Sequence, residues 1–109
     1  MPPETPTAIR TYFDAVNLGR IEDVAAAFAP DGLVRDERAD HRGRAAISAW
    51  AEDTLRRYRM HNDILSVSRD ADHHIVLARV TGTFPGSPLD FTYRFAMGPD
   101  GIETLEITL

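Results

Sequence analysis

Between Leu89 and Met97 the chain alternates without a break. Leu89, Phe91, Tyr93, Phe95 and Met97 are large and apolar, while Asp90, Thr92, Arg94 and Ala96 between them are polar or small. Successive side chains of a strand point to opposite faces, so this segment is a strand with one greasy face and one face suited to water or a partner. A lone strand cannot hide such a row of rings. The fold must place a sheet around it and a covering layer over it.

The first half of the chain offers that layer. Ile9, Tyr12, Phe13 and Val16 recur at i, i+3, i+4 and i+7, one apolar stripe of a helix. Thr5-Pro6 reads as an N-cap followed by proline at the first helical position. Asn17-Leu18-Gly19 ends the helix, glycine suiting the left-handed residue that follows it. Ile21, Val24, Ala25 and Phe28 repeat the spacing in a short second helix, stopped by Pro30-Asp31-Gly32. Leu33 to Asp36 is a short strand with Val34 and Asp36 on one face, and charged, turn-prone residues run from there to Gly43. A long third helix carries Ile47, Trp50, Ala51, Thr54, Leu55 and Tyr58 on one stripe.

Strands follow. Ile64 to Ser68 leads into a turn at Asp70-Ala71-Asp72, and His74 to Phe84 places Val76, Ala78, Val80, Gly82 and Phe84 on one face. Pro85-Gly86-Ser87-Pro88 reverses the chain into the alternating strand. Pro99-Asp100-Gly101 turns it once more into a strand from Ile102 to Leu109. Three helices ahead of an antiparallel meander make the class α+β. At 109 residues the chain is one domain, residues 1–109, with enough length to bury a single core.

Several functions are excluded by what the chain lacks. Its formal charge of −5 and the absence of clustered, uncompensated cations argue against a nucleic-acid partner. Arg56, Arg57 and Arg59 share their helix with Glu52 and Asp53 and read as a solvated face. With no cysteine there is no disulfide, thiolate nucleophile or cysteine-based zinc site. His73 and His74 with Asp70 and Asp72 form a polar hairpin turn whose spacing does not converge on one ion, so no metal is expected. Met1-Pro2-Pro3-Glu4 has neither the charge nor the apolar run of a leader, and no segment spans a bilayer. A soluble cytoplasmic protein without membrane partner is the expectation.

The residues that could carry chemistry are few. Asp36 shares a strand face with Val34, and a carboxylate on an apolar face needs a partner or a task. It reads either as a general base, its pKa raised by burial, or as a rim carboxylate paired with Arg35, Arg38, Arg42 or Arg44. Tyr12, on the core stripe, either packs or offers its hydroxyl to a ligand. His41, just ahead of Gly43, is a second acid/base or orienting candidate, or else a loop histidine.

Order and spacing add a resemblance. Tyr12-Phe13-Asp14-Ala15-Val16-Asn17-Leu18-Gly19-Arg20, then Phe28-Ala29-Pro30-Asp31-Gly32, then Val34-Arg35-Asp36, then His41-Arg42-Gly43-Arg44-Ala45-Ala46-Ile47 resemble the nuclear transport factor 2-like superfamily, in its SnoaL-like and ketosteroid-isomerase-like branch. The resemblance covers nearly the whole chain. It implies a cone: a strongly curved antiparallel sheet wrapped on one side by the three N-terminal helices, with a pocket at the open end. It also implies a homodimer through the outer face of the sheet, in keeping with Thr81, Thr83, Thr92 and Ala96 there. The superfamily includes isomerases, polyketide cyclases, dehydratases, hydrolases and proteins without catalysis, so fold alone does not decide function.

In ketosteroid isomerases an aspartate after helix two shuttles a proton, while a helix-one tyrosine and a protonated aspartic acid hold the dienolate oxygen. The resemblance puts Asp36 and Tyr12 on the first two positions and Phe91 on the third, so the second oxyanion donor is missing. Asp90 points the opposite way by strand alternation, and Ala51 stands where a supporting tyrosine is common. By the same resemblance Trp50, Tyr58, Phe91, Tyr93 and Phe95, with Val34 and Phe13, line a pocket for a small apolar molecule. The expected activity is cofactor-independent proton transfer on a carbonyl compound, as in an isomerase or cyclase. The alternatives are a non-catalytic binding pocket and a structural module whose cavity is filled by its own side chains.

Overall fold

Helix α1 spans Thr7–Leu18 and α2 Ile21–Ala26; β1 is Phe28–Asp36 and β2 Ala39–Arg42; α3 is Arg44–Tyr58. The rest is β3 His61–Asp70, β4 His73–Thr81, β5 Leu89–Gly98 and β6 Gly101–Thr108. This computed structural model describes residues 5–109; Met1-Pro2-Pro3-Glu4, read above for a leader, lies outside the described residues. The class is α+β as expected. One six-stranded, curved and unclosed sheet runs β2-β1-β6-β5-β4-β3. No helix among the described residues is long and apolar enough to cross a membrane.

The stripe of α1 is buried as its spacing requires: Ile9, Tyr12, Phe13 and Val16 all lie in the core. Gly19 takes the left-handed conformation at φ 71°, and Arg20 N–H reaches back to Ala15 C=O at 2.8 Å, closing the helix end. The start differs by one residue. Pro6, extended at ψ 140°, is the N-cap, and its carbonyl receives the Ile9 and Arg10 amides. Thr5 is buried one position further out.

Four expectations about the β elements need correction. Phe28 opens β1 rather than closing α2, which stops at Ala26. Pro30-Asp31-Gly32 therefore bends a strand instead of ending a helix. Between Phe28, opposite Ile102, and Leu33, opposite Thr104, β1 carries extra residues that bulge where proline has no N–H to give. The charged stretch after Asp36 is not loop but a tight hairpin. Glu37 and Arg38 both take positive φ, 51° and 64°, so Asp36 pairs directly with Ala39 and β2 follows. That turn ordinarily calls for Asn-Gly or Asp-Gly, and neither is present to signal it.

β1 and β6 are parallel, so the sheet is not purely antiparallel as the meander implied. The chain reaches β1 before it has built the sheet's other half, and β6 returns to lie beside it. β4 ends at Thr81, three residues short of Phe84. Gly82 to Pro88 is a loop that crosses the end of α3. Thr83 N–H donates to Tyr58 C=O at 2.7 Å, and Thr83 Oγ1 donates to Arg57 C=O at 3.1 Å. The loop thus satisfies carbonyls that the end of a helix leaves open, and Thr83 is not part of the outer sheet face. Thr81 is exposed there, and Thr92 and Ala96 are half-buried. On the same face Arg79 forks onto Asp90 at 2.9 and 3.2 Å, which takes Asp90 out of the interior as strand alternation predicts.

The inner face is the core. Val34, Leu105 and Phe95 lie side by side on β1, β6 and β5, with Val76, Ala78 and Val80 on β4, all sealed beneath α1 and α3. Arg44 fixes the start of α3 to the sheet: its Nε and Nη2 both donate to Phe28 C=O, at 3.1 and 2.8 Å. The end of α3 is fixed by the loop contact at Gly82, where an added Cβ would stand 2.5 Å from Tyr58 C=O. Gly82→Ala should therefore lower stability by about 2 kcal/mol, within the range of backbone-strain substitutions. Urea denaturation measures it.

Candidate functional site

The inner face of the sheet is not filled to its open end. Beyond the sealed core a cavity of about 200 Å³ remains between α1, α3 and the sheet. Its wall is mostly apolar: Val16, Trp50, Ala51, Leu55, Tyr58, Met60, Phe84, Pro85, Phe91 and Ile107. Tyr12, Asp36, Glu37, Thr54, Asn62 and Tyr93 supply the polar groups.

Each is placed by a simple local rule. Asp36 is the last residue of β1 and shares the inner face with buried Val34. The two-residue turn behind it leaves no slack. Trp50, one turn into the α3 stripe, donates from Nε1 to Asp36 Oδ2 at 3.1 Å. None of the arginines named as rim partners takes this carboxylate. Arg35 is 3.4 Å from Asp40, Arg42 donates to Asp31 C=O, and Arg44 is spent on Phe28.

Asp36 therefore sits half-buried with only neutral donors, the Trp50 N–H and the Glu37 amide. Desolvation raises its pKa above the usual carboxylate value, and the adjacent Glu37 charge adds to the rise. The Trp50 hydrogen bond, the Glu37 amide and the positive side of His41 pull it back in part. The Tyr12 phenol is pushed well up as well, first by burial and then by the neighbouring Tyr93 and Asp36. It stays protonated and is a donor. No described residue hydrogen-bonds the Tyr12 hydroxyl, and it is not sealed, since Thr5 Oγ1 is the sealed unpartnered side-chain oxygen or nitrogen among the described residues. It opens onto the cavity.

Of the residues read from sequence, six line the cavity together: Asp36, Tyr12, Trp50, Tyr58, Phe91 and Tyr93. Four do not. Val34, Phe13 and Phe95 are sealed in the core at the closed end, where the aromatic rings meet edge to face. His41, on β2, stacks obliquely on Trp50 with ring centres 6.1 Å apart and does not line the cavity. It can act on Asp36 by charge.

Sequence reasoning missed Asn62, Thr54, Met60, Phe84 and Pro85. Thr54 was on the α3 stripe, but its hydroxyl is spent on the Trp50 and Ala51 carbonyls. Phe84 was assigned to a strand face. It instead folds over the opening and meets Tyr58 and Phe91 edge to face, at 6.0 and 6.3 Å. Asn62 lies at the start of β3, before the expected strand. At the mouth the Tyr58 hydroxyl donates to Glu37 Oε1 at 3.2 Å and receives Arg57 Nη1 at 3.0 Å. Among the described residues no three His, Asp or Glu side chains are grouped to hold a metal ion.

A curved, unclosed sheet wrapped by N-terminal helices defines the class of cone-shaped α+β proteins with NTF2-like and cystatin-like folds, here around a mostly apolar cavity with one half-buried carboxylate. The chain belongs to the SnoaL-like domain family, whose model matches residues 9–104. It is similar in structure to a candidate polyketide cyclase from Sinorhizobium meliloti, with 35% identity, 96% of each chain covered and a TM-score of 0.91. A protein of ketosteroid-isomerase-like fold from Catenulispora acidiphila, in complex with trimethylamine, shares 22% identity over 96% of this chain and 86% of that one, with a TM-score of 0.83. A candidate polyketide cyclase from Xanthomonas campestris shares 21% over 92% and 85%, with a TM-score of 0.77. No curated protein matches the chain.

The raised Asp36 pKa has a sign that stability can read. Between its unfolded and native values the native state holds a proton that the unfolded chain has released. Stability conferred by this group is therefore lost as pH rises through that window. Asp36→Asn should be more stable than wild type at neutral pH, with the margin shrinking as pH falls through the carboxylate range. Urea melts across that range give the comparison; an equal margin at every pH would mean Asp36 is not desolvated.

Proposed function

We propose that the protein is a cofactor-independent enzyme that moves a proton at a carbon next to the carbonyl of a small apolar compound. The observation that carries this is the pairing of Asp36, held by Trp50 in a mostly apolar wall, with a Tyr12 hydroxyl that has no partner among the described residues and lines the same cavity.

The chemistry follows from the two groups. Asp36 takes the proton from the carbon, the C–H electron pair forms the new C=C bond, and the carbonyl π pair moves onto oxygen. Tyr12 donates a hydrogen bond to that oxygen as its charge develops. Returning the proton from Asp36 to a different carbon completes an isomerisation. Letting the enolate carbon attack a second carbonyl would complete an aldol-type cyclisation. Both share the enolate, and the likeness to the Sinorhizobium meliloti candidate cyclase supports that shared class. A base with a raised pKa is matched to this work, because a strongly acidic carboxylate takes a proton from carbon poorly. An apolar cavity of ~150 Å³ takes up benzene, so about 200 Å³ holds one six-membered ring with short substituents.

A second reading is binding without turnover. It is favoured by Phe91, which lines the wall where the resemblance to ketosteroid isomerases calls for a carboxylic acid.

The test is proton exchange and double-bond migration in 3-cyclohexenone, followed by NMR in heavy water. Wild type should accelerate both. Asp36→Asn should lose the acceleration, by about 10²–10⁴-fold for a general base, and Tyr12→Phe by about 10²–10³-fold. Wild type that binds the ketone but leaves it unexchanged would establish the second reading. A separate outcome concerns Trp50. Its N–H lowers the Asp36 pKa, so Trp50→Phe should move the rise of rate with pH to higher pH.

A further inference from the structure

The proposed chemistry needs charge on one oxygen, and a single phenol is thin support for it. Next to Tyr12, with ring centres 6.3 Å apart, stands Tyr93. Its hydroxyl donates to Asn62 Oδ1 at 2.7 Å, and both residues line the cavity. With Oδ1 accepting, the two N–H groups of Asn62 Nδ2 have no acceptor among the described residues. They are not sealed against packed atoms, because Thr5 Oγ1 alone among the described side chains is sealed without a partner. Asn62 itself lines the cavity, which gives these donors a ligand to reach. Turning the amide end for end would have it donate to Tyr93 and would free the Tyr93 O–H instead. Either way the couple has a donor to spare.

The couple is also held rigid from behind. Asn62 is buried, with 4% of its surface exposed. Asn17, at the end of α1, grips its backbone from both sides: Asn62 N–H donates to Asn17 Oδ1 at 2.7 Å, and Asn17 Nδ2 donates to Asn62 C=O at 2.9 Å. A buried amide pinned by its backbone and by one side-chain contact, with its remaining donors unspent, is a donor fixed in advance.

We propose that the Asn62–Tyr93 couple is the second hydrogen-bond donor to the substrate oxygen, an amide in place of the carboxylic acid that Phe91 displaces. The inference rests on the proton-transfer reading above and assigns Asn62 and Tyr93 to the same oxygen as Tyr12. Asn17 is a positioning residue that acts through Asn62. The ligand class narrows accordingly. The substrate carries a carbonyl oxygen at the Tyr12 end of the cavity, and it becomes an enolate there.

The test uses the Asp36→Asn protein, whose neutral side chain stands in for Asp36 after it has taken the proton. The probes are 4-nitrophenol, above its own pKa so that it carries an oxygen anion, and 4-nitrotoluene, of similar shape without one. Adding Asn62→Leu should weaken the phenolate about tenfold or more, as for a lost hydrogen bond to a charged group, and leave 4-nitrotoluene within about twofold. Tyr93→Phe, which removes one oxygen atom and carries the test if Asn62→Leu does not fold, should weaken the phenolate alone. Equal losses for both probes would make the couple a packing element and overturn the inference. Tyr12→Phe separates the two levels. If it weakens the phenolate while the Asn62 and Tyr93 variants do not, this inference falls and the proton-transfer reading stands. If none of the variants matters, or no phenolate binds, both fall.

Discussion

Five aromatic rings hold the closed end of the cone, and the rest of the molecule is arranged around them. Tyr12 meets Phe13 at 5.0 Å, Phe28 at 6.0 Å and Phe95 at 5.8 Å, all near perpendicular, and Phe13 meets Tyr93 at 5.0 Å. Edge-to-face contacts of this kind add to the burial of the rings themselves. The cluster joins α1 to β1 and β5, so it sets how deep the first helix can sink into the curved sheet. Depth at one end leaves a gap at the other. The cavity is that gap, and Tyr12 belongs to both because its ring is in the cluster and its hydroxyl is at the edge of it.

How much of this was legible in the chain depends on which physical rule was at work. Periodicity told the faces of α1, α3 and β5 correctly, because burial of an amphipathic element leaves few alternatives. The same rule brought Asp36 and Tyr12 into one interior. Periodicity says which way a side chain points but not how far along the cone it lies. Hence Phe95 and Val34, on the same faces as Phe91 and Asp36, turned out to be sealed core. The turn at Glu37-Arg38 was hidden because its left-handed residues are not glycine or asparagine. The parallel pairing of β1 with β6 was hidden because it joins opposite ends of the chain. Asn62 gave no signal at all: a lone amide at a strand start acquires meaning only when Tyr93 and Asn17 are brought to it.

The electrostatics of the site are economical. The Asp36 carboxylate is desolvated, which raises its pKa, and it is held by an indole N–H, a donor with no charge of its own. A cationic partner would have driven that pKa down. Three nearby arginines are occupied elsewhere: Arg57 with Asp53 and Glu37, Arg35 with Asp40, Arg44 with a backbone carbonyl. These pairs keep the three guanidinium groups off Asp36, whose side-chain donor is the neutral Trp50 N–H.

The grip of Asn17 on Asn62 has a consequence unrelated to chemistry. β3 is the last strand of the sheet, so its outer N–H and C=O groups face no neighbour and could pair with a strand of another molecule. At Asn62 both of those groups are already taken, by the side-chain amide of Asn17. Asn17 stands there as a single residue of a seventh strand. It satisfies the sheet edge at Asn62, so the contact that pins a cavity-lining residue also leaves another strand nothing to pair with at that position.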